Sequence, residues 1–376
     1  VDINPKSVAI CRLRLWIELL KHAYYTPESG YARLETLPNI DINIKCGNSL
    51  ISRFALAGGD DVLPGDRARL KVLAGRYREK VLLYKLHPTN KALLRREIEV
   101  MKEEIQAFSL PTDAEENLLR KLENDLTQTL FDFDREGAEK RTGIQERTAE
   151  LRRRLDEKKR TVYRAAFEWR YEFPEVLDEN GRFVGFDCVI GNPPYVRQEM
   201  LGAAFKAYAR SRYEVYHGVA DLYAYFFELG VAVLRDGGYF SIIVANKWMR
   251  ANYGAPLRKW LREQGLELVV DFGALPVFPE ATTYTCIVRI RKGKPSDTFG
   301  VIKADTLEFD SLAAYVQGRR NEVRRASLED GGWSLSNEGT AALLKKLHQT
   351  GIPLKEYVKG RIYYGIKTGF NEAFVI

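Results

Sequence analysis

The sequence predicts an α/β protein: a doubly wound sheet with helices on its faces, a long helical insertion in the first half, and a further segment at the carboxyl end. Three observations carry that expectation. Phe186-Asp187-Cys188-Val189-Ile190 is a short apolar run that stops at a rigid polar turn, Gly191-Asn192-Pro193-Pro194-Tyr195. Such a run suits a strand of a parallel sheet covered on both faces, and open α/β sheets bind ligands just beyond strand ends of this kind. From about Asp66 to Arg170 the composition shifts to Arg, Lys, Glu and Leu, with apolar residues at helical spacing. Past the turn, apolar helix and strand signals alternate up to about residue 300.

The first element begins abruptly. Val1-Asp2-Ile3-Asn4-Pro5 reads as the end of a strand and the cap of a helix, with Asn4 at the N-cap and Pro5 at the first helical position. In that helix Val8, Cys11, Leu15 and Leu19 share one stripe, which predicts packing on the sheet. Ile40, Ile42, Ile44 and Cys46 then alternate with polar neighbours, the period of a strand, and Gly47-Asn48-Ser49-Leu50 turns out of it. The charged region predicts two or three long helices, interrupted at Pro88 and Pro111 and restarted at Thr112-Asp113-Ala114-Glu115-Glu116. Its charged faces, Arg152-Arg153-Arg154 among them, are expected to meet solvent, with a polyanionic partner or a further domain as the alternatives. Phe167, Trp169, Tyr171 and Phe173 mark the return to the core.

Beyond the turn, the helix starting at Ala220-Asp221-Leu222-Tyr223 is apolar over much of its circumference and should be buried. Strands are expected at Tyr239–Val244, Leu268–Phe272 and Thr283–Ile290, with the loop Val277-Phe278-Pro279-Glu280 between the last two. A helix near Glu338 to Leu347 leads to the string Tyr363-Tyr364-Gly365-Ile366-Lys367-Thr368-Gly369-Phe370-Asn371.

Composition sets outer bounds. The chain has 376 residues, 45% of them hydrophobic and 11% aromatic, enough for a sizeable core and two or three domains. Its 58 basic and 51 acidic residues leave a net charge of +7, which is compatible with a polyanionic partner. Cys11, Cys46, Cys188 and Cys286 are far apart and read as buried thiols of a reducing cytoplasm, and His22, His87, His217 and His348 are equally scattered, so no metal cluster is expected. No apolar stretch approaches the ~20 residues of a membrane span, and no secretory signal opens the chain.

The turn carries the chemistry. Asn192 offers a side-chain carbonyl, Pro193 and Pro194 lack N–H donors and fix their own φ, and Tyr195 offers a flat face with a polar tip. Together they suit a planar amine. Asn192-Pro193-Pro194-Tyr195 resembles the catalytic loop of S-adenosylmethionine-dependent amino-methyltransferases, above all the DNA adenine-N6 enzymes, and the string up to Arg197-Gln198-Glu199 resembles the methylase part of type IIG restriction-modification enzymes.

That resemblance implies a Rossmann-like class I methyltransferase core, divided as residues 1–60 (first part of the core), 61–170 (helical insertion), 171–300 (catalytic part) and 301–376 (linker and start of a target-recognition domain). It implies that Asn192 and Pro193 hold the adenine amine, that Tyr195 and Phe278 stack on the extruded base beside Pro194, and that Asp2, Ile3, Asn48, Asn192 and Phe226 contact the cofactor. Asn48 stands where the family usually carries Asp. Arg197, Lys247, Tyr364 and Lys367 are the implied contacts to double-stranded DNA. No metal is implied for methyl transfer; Mg2+ would serve only a nuclease domain elsewhere in the protein. The glycine loop and first strand of the family's cofactor site have no match here, so the resemblance also implies packing against a further N-terminal domain, an open sheet edge, and little activity of these residues alone. Two alternatives stay open on the residues: a protein-glutamine or RNA methyltransferase with a similar loop, and a non-catalytic DNA-binding module on the same fold.

Overall fold

A computed structural model describes residues 1–27, 30–32, 34–35, 41–56, 66–86, 90–108, 111, 113–128, 135–279, 283–328, 331–333, 335, 343, 346–347, 349–359 and 361. The expected helix near Glu338 and the string around Tyr364 and Lys367 lie wholly or largely outside these residues.

Helix α1 (Pro5–Lys21) begins where the sequence places it, with the Asn4 side chain accepting from the Lys6 N–H. Its apolar stripe does not pack on the sheet. Only Val8 is buried, while Trp16, Ile10 and Leu13 are more than half exposed. After the two-residue pair β1 (Tyr24–Tyr25) and β2 (Leu34–Glu35), the alternating segment near Ile42 forms a 3-10 turn, Asp41–Asn43, and a single parallel bridge between Cys46 and Asp2. A periodic sequence becomes a strand only where a neighbour supplies a ladder, and here Asp2 alone does so.

The charged region forms four long helices, one more than the most expected: α2 (Arg67–Leu86), α3 (Lys91–Ala107), α4 (Ala114–Gln128) and α5 (Arg135–Thr161). They pack as two hairpins, α2 on α3 and α4 on α5. Leu70, Tyr77, Val81, Tyr84, Ile98 and Ile105 build a core of their own with Phe54 and Tyr171. Short helix α6 (Trp169–Glu172) returns the chain to the main core, where Phe167, Trp169 and Phe173 contact one another as the sequence predicts, whereas Tyr171 joins the core of the insertion.

The main sheet has six strands: β3 (Phe186–Gly191), β4 (Leu234–Ala245), β5 (Leu266–Asp271), β6 (Thr285–Arg291), β7 (Thr298–Lys303) and β8 (Asn321–Arg324). Their order is β3-β4-β6-β5-β7-β8, and only the β3–β4 and β5–β7 pairs are parallel. The fold class is therefore α/β with a mixed central sheet. Two strands lie in a region without a clear sequence pattern, so the sheet runs on past residue 300; Trp333, 2% exposed, packs on Trp248 with ring centroids 5.3 Å apart.

Helices α7 (Ala203–Arg212), α8 (Tyr223–Ala232) and α9 (Ala255–Glu263) join the sheet's larger core, and α10 (Leu312–Arg319) covers the other face. Strand β5 serves both, with Val269 on one side and Leu268 and Val270 on the other. Helix α8 is buried as its composition predicts. It lies so close to β4 that a Cβ on Gly230 would collide with the Phe240 ring, which accounts for a glycine in mid-helix despite its propensity cost.

Strand β3 departs from expectation. It is an edge strand among the described residues, paired only with β4, so Cys188 and Asp187 are exposed and Ile190 is 83% exposed. Cys11 and Cys46 are exposed as well, and Cys286 alone is a buried thiol. Each exposed cysteine sits on an element with an uncovered face: α1, the Asp2 bridge or β3. Among the described residues no helix is long and apolar enough to cross a membrane.

Candidate active site

The Asn192–Tyr195 loop leaves the carboxyl end of β3, and its sequence fixes its shape locally. Consecutive prolines remove two N–H donors, so the loop cannot extend the ladder to β4. Pro193 is buried, whereas Asn192 and Pro194 are exposed and Tyr195 is 41% exposed. Two backbone bonds hold the exit: the Val196 N–H donates to the Pro194 carbonyl at 3.0 Å, and the Leu222 N–H donates to the Val196 carbonyl at 3.0 Å. The entrance to α8 thus pins the loop.

Around that pin lies a group that the sequence does not single out. Asp221 accepts from the Gln198 backbone, and burial, reinforced by Glu199, holds its carboxyl above the usual carboxylate range against the opposing pull of Lys247 and Arg197. Tyr223, fully buried, sets its ring 6.4 Å from that of Tyr195 and shares a 3.1 Å hydroxyl contact with Tyr253. Burial pushes the Tyr195, Tyr223 and Tyr253 hydroxyls up, so all three stay protonated at neutral pH. The one sequence signal for this group is a short polar residue, Asp221, just before a very apolar helix.

The remaining candidates fall in two places. Arg197 and Lys247 are exposed beside Asp221. Phe226 is half-buried against the main core, whereas Phe278, also half-buried, belongs to none of the three buried clusters, although its neighbour Val277 packs on one of them. On the other side, Asp2 and Ile3 are exposed at the bridge to Cys46, Ile3 by 60%. One Asp2 carboxylate oxygen accepts from the Asn4 N–H at 2.7 Å. The Asn48 side-chain carbonyl already accepts from the Leu50 N–H at 3.2 Å, a local turn that leaves its amide N–H groups for a ligand.

This second group is tied by side chains to helices α7 and α6. The Tyr213 hydroxyl donates to the Leu50 carbonyl at 2.6 Å, and the Trp169 indole N–H donates to the Ser49 carbonyl at 3.0 Å. Deeper still, Glu172 bridges Lys45 at 3.1 Å and Lys102 at 2.5 Å. Burial alone would raise the Glu172 pKa, but the two ammonium groups outweigh it and hold the carboxyl below the usual range. Among the described residues no cluster of His, Cys, Asp and Glu could hold a metal ion.

An exposed Asn-Pro-Pro-Tyr loop at the carboxyl end of a strand defines an α/β protein with its candidate site where open sheets bind ligands. The chain belongs to the Eco57I restriction-modification methylase family, which matches residues 1–278. It is 33% identical over 208 residues to the Type II methyltransferase M.PaeR7I of Pseudomonas aeruginosa, a match covering 50% of this chain and 35% of that protein. It is 26% identical over 199 residues to the Type II restriction enzyme and methyltransferase RM.Eco57I of Escherichia coli, covering 50% of this chain and 19% of that one. The chain therefore matches about a third or less of these relatives' lengths. Among solved structures, the type IIG restriction endonuclease BpuSI aligns with a TM-score of 0.35 and 17% identity over 48% of this chain and 26% of that one.

Proposed function

We propose that this chain carries the catalytic part of an S-adenosylmethionine-dependent methyltransferase that modifies the exocyclic N6 amine of an extruded adenine in DNA, as part of a restriction-modification system. The observation that carries the reading is the loop itself, Asn192 and Tyr195 exposed at the end of β3 and pinned by the start of α8. Family membership supports methyl transfer, and the names of the relatives place such proteins in restriction and modification.

The chemistry follows from the amine. Its lone pair is conjugated into the ring and it is hidden in the duplex, so the base must first leave the stack. The Asn192 side-chain oxygen and the Pro193 carbonyl accept the two amine hydrogens and turn the lone pair out of conjugation. Tyr195 and Phe278 hold the ring by stacking, about 1–3 kcal/mol per base, which offsets much of the cost of extrusion. Alignment of nucleophile and methyl then supplies the rate. S-adenosylmethionine, when bound, supplies the electrophilic methyl. The residues at the Asp2 end fit such a nucleoside: a free carboxylate oxygen on Asp2 for ribose hydroxyls, exposed apolar surface on Ile3, and amide donors on Asn48, with Phe226 nearer the sheet. The open edge of β3, with Ile190 exposed beside the loop, supports a pocket completed by further protein packed on that edge. In this reading residues 61–170 are a helical insertion between two parts of the core, the chain beyond the sheet's last strand and Trp333 leads into target recognition, and Arg197 and Lys247 meet phosphates.

Phe278 gives a direct test. Half-buried in the loop between β5 and β6, Phe278 is read as a lid on the base, so Phe278→Trp should keep extrusion and Phe278→Ala should weaken it. The fluorescence of 2-aminopurine at the target position reads this out. Equal fluorescence enhancement in all three proteins would contradict the stacking role.

A further inference from the structure

The insertion carries a second basic feature with a geometry of its own. Three cations of α5 are neutralised by carboxylates at or just before α4: Arg152 pairs with Glu123 at 2.7 Å, Arg154 with Glu115, and Lys158 with both Asp113 at 2.9 Å and Glu115 at 2.5 Å. Lys159, Arg160 and Arg164, immediately beyond, are exposed and pair with no carboxylate among the described residues. All three line one groove of about 580 Å3 together with Arg53 and Tyr163. The Arg53 charge is paired with Glu116 at 2.6 Å, so the three exposed cations set the charge of the groove.

Helix-end electrostatics explain why cations collect in the last turn of α5. They do not explain Arg164, which comes from the following turn, Tyr163–Ala165, and lines the same groove. The wall is rigid. The Tyr163 hydroxyl donates to Asp113 at 3.0 Å, and its ring stands edge-on to Tyr208 of α7 at 6.2 Å. Tyr208 in turn bonds both backbone groups of Ser52, and the Ala165 carbonyl accepts from the Asn48 N–H at 2.6 Å. The groove is thereby coupled to the Asn48 turn on one side and, through α7, to the helix that follows the catalytic loop.

Resting on the methyltransferase reading above, we propose that this groove is a docking site for the phosphodiester backbone of duplex DNA flanking the target base. A wide polar groove with three unpaired long cations, its wall tied to α7 and Ser52, suits sequence-independent phosphate contacts, which set register and leave base reading to other elements. The helical insertion then acts as a second hold on the duplex, apart from the contacts at Arg197 and Lys247.

The test is the salt dependence of DNA binding by the intact protein, measured by fluorescence anisotropy of a labelled duplex. Each phosphate neutralised contributes about 0.9 to the slope of log K against log salt, so Lys159→Gln/Arg160→Gln/Arg164→Gln should lower its magnitude by about 2 to 3. The charge-preserving set Lys159→Arg/Arg160→Lys/Arg164→Lys should keep the slope, and Arg152→Gln/Arg154→Gln, which removes cations already paired, should leave it unchanged. An unaltered slope in the triple Gln variant overturns the proposal while the methyltransferase reading stands. An equal fall on removing Arg152 and Arg154 also overturns it, because overall charge would then be the cause. A lowered slope in a protein that binds DNA but methylates only protein or RNA would support the groove and sink the proposed substrate. Failure of the wild-type protein to bind duplex DNA overturns both.

Discussion

Asn192→Ala should slow single-turnover methylation of adenine in DNA by about 3 kcal/mol, a hundredfold or more, which is the scale of losing one preorganised acceptor at a site of developing charge. Affinity for S-adenosylmethionine should change little, since the proposed contacts at Asp2, Ile3 and Asn48 remain. The structure favours a chemical effect over a folding one. Asn192 is exposed, while the loop is held by backbone bonds at Pro194 and Val196 and by the buried ring of Pro193. Asn192→Asp, which keeps an acceptor oxygen, should lose less. Rapid-quench measurement at saturating DNA and cofactor separates the step from binding; an unchanged rate for the alanine variant would remove Asn192 from the mechanism.

The largest effect on stability is expected at Glu172. Its carboxylate holds Lys45 and Lys102 in a region where all three side chains are less than a fifth exposed, and it joins the Asn48 region, helix α3 and helix α6. Glu172→Gln removes the carboxylate that Lys45 bridges and leaves Lys102 with Glu99 alone, and breaking one partner of such a buried group costs about 3–5 kcal/mol. The two lysines respond differently. For Lys45 the cost of burial wins and its pKa is lowered, whereas Lys102, bonded to both Glu172 and Glu99, overcomes burial and has its pKa raised. The pH dependence has a definite sign. The folded Glu172 pKa lies below the ordinary value of 4.5, so its stabilisation is present above that pH and is lost as pH falls through the lower folded value. Denaturant unfolding at neutral pH should show the full difference between wild type and Glu172→Gln, and the two curves should converge in acid. A constant difference across that range would mean that the triad is not the source.

What could be read from the residues, and what could not, divides along a physical line. The Asn192–Tyr195 turn at the end of β3 was legible because its two prolines fix their own backbone without help from distant residues. Helix α8 and the aromatic return at Phe167–Phe173 were legible because dense apolar sequence has few alternatives to burial. The environment of β3 was not. An apolar run signals a neighbour on each side, yet whether the neighbour is present depends on another strand, and here Ile190 stands 83% exposed. The same reason defeats the stripe on α1 and the alternation near Ile42, which have the period of packed elements without the partner. Strand β7 was missed because it is short and buried through its middle, so no alternation marks it, and β8 because a short, mixed segment at the sheet edge carries little periodicity. The Lys45–Glu172–Lys102 triad and the group at Asp221, Tyr223 and Tyr253 assemble residues far apart in the chain, so no local pattern announces them. In the charged region the helical periodicity was plain, but periodicity cannot sort the cations: Arg152 and Arg154 are held by carboxylates of α4, whereas Lys159, Arg160 and Arg164 remain unpaired among the described residues.

The central claim is that the amine held at Asn192 and Pro193 belongs to adenine in DNA. The intact protein should be supplied with S-adenosylmethionine labelled in the methyl group and offered duplex DNA, RNA and protein in parallel, with the labelled product digested and identified by mass. The account predicts label in N6-methyladenine from DNA, abolished in Asn192→Ala. Label confined to glutamine or RNA, or to cytosine in DNA, would contradict it.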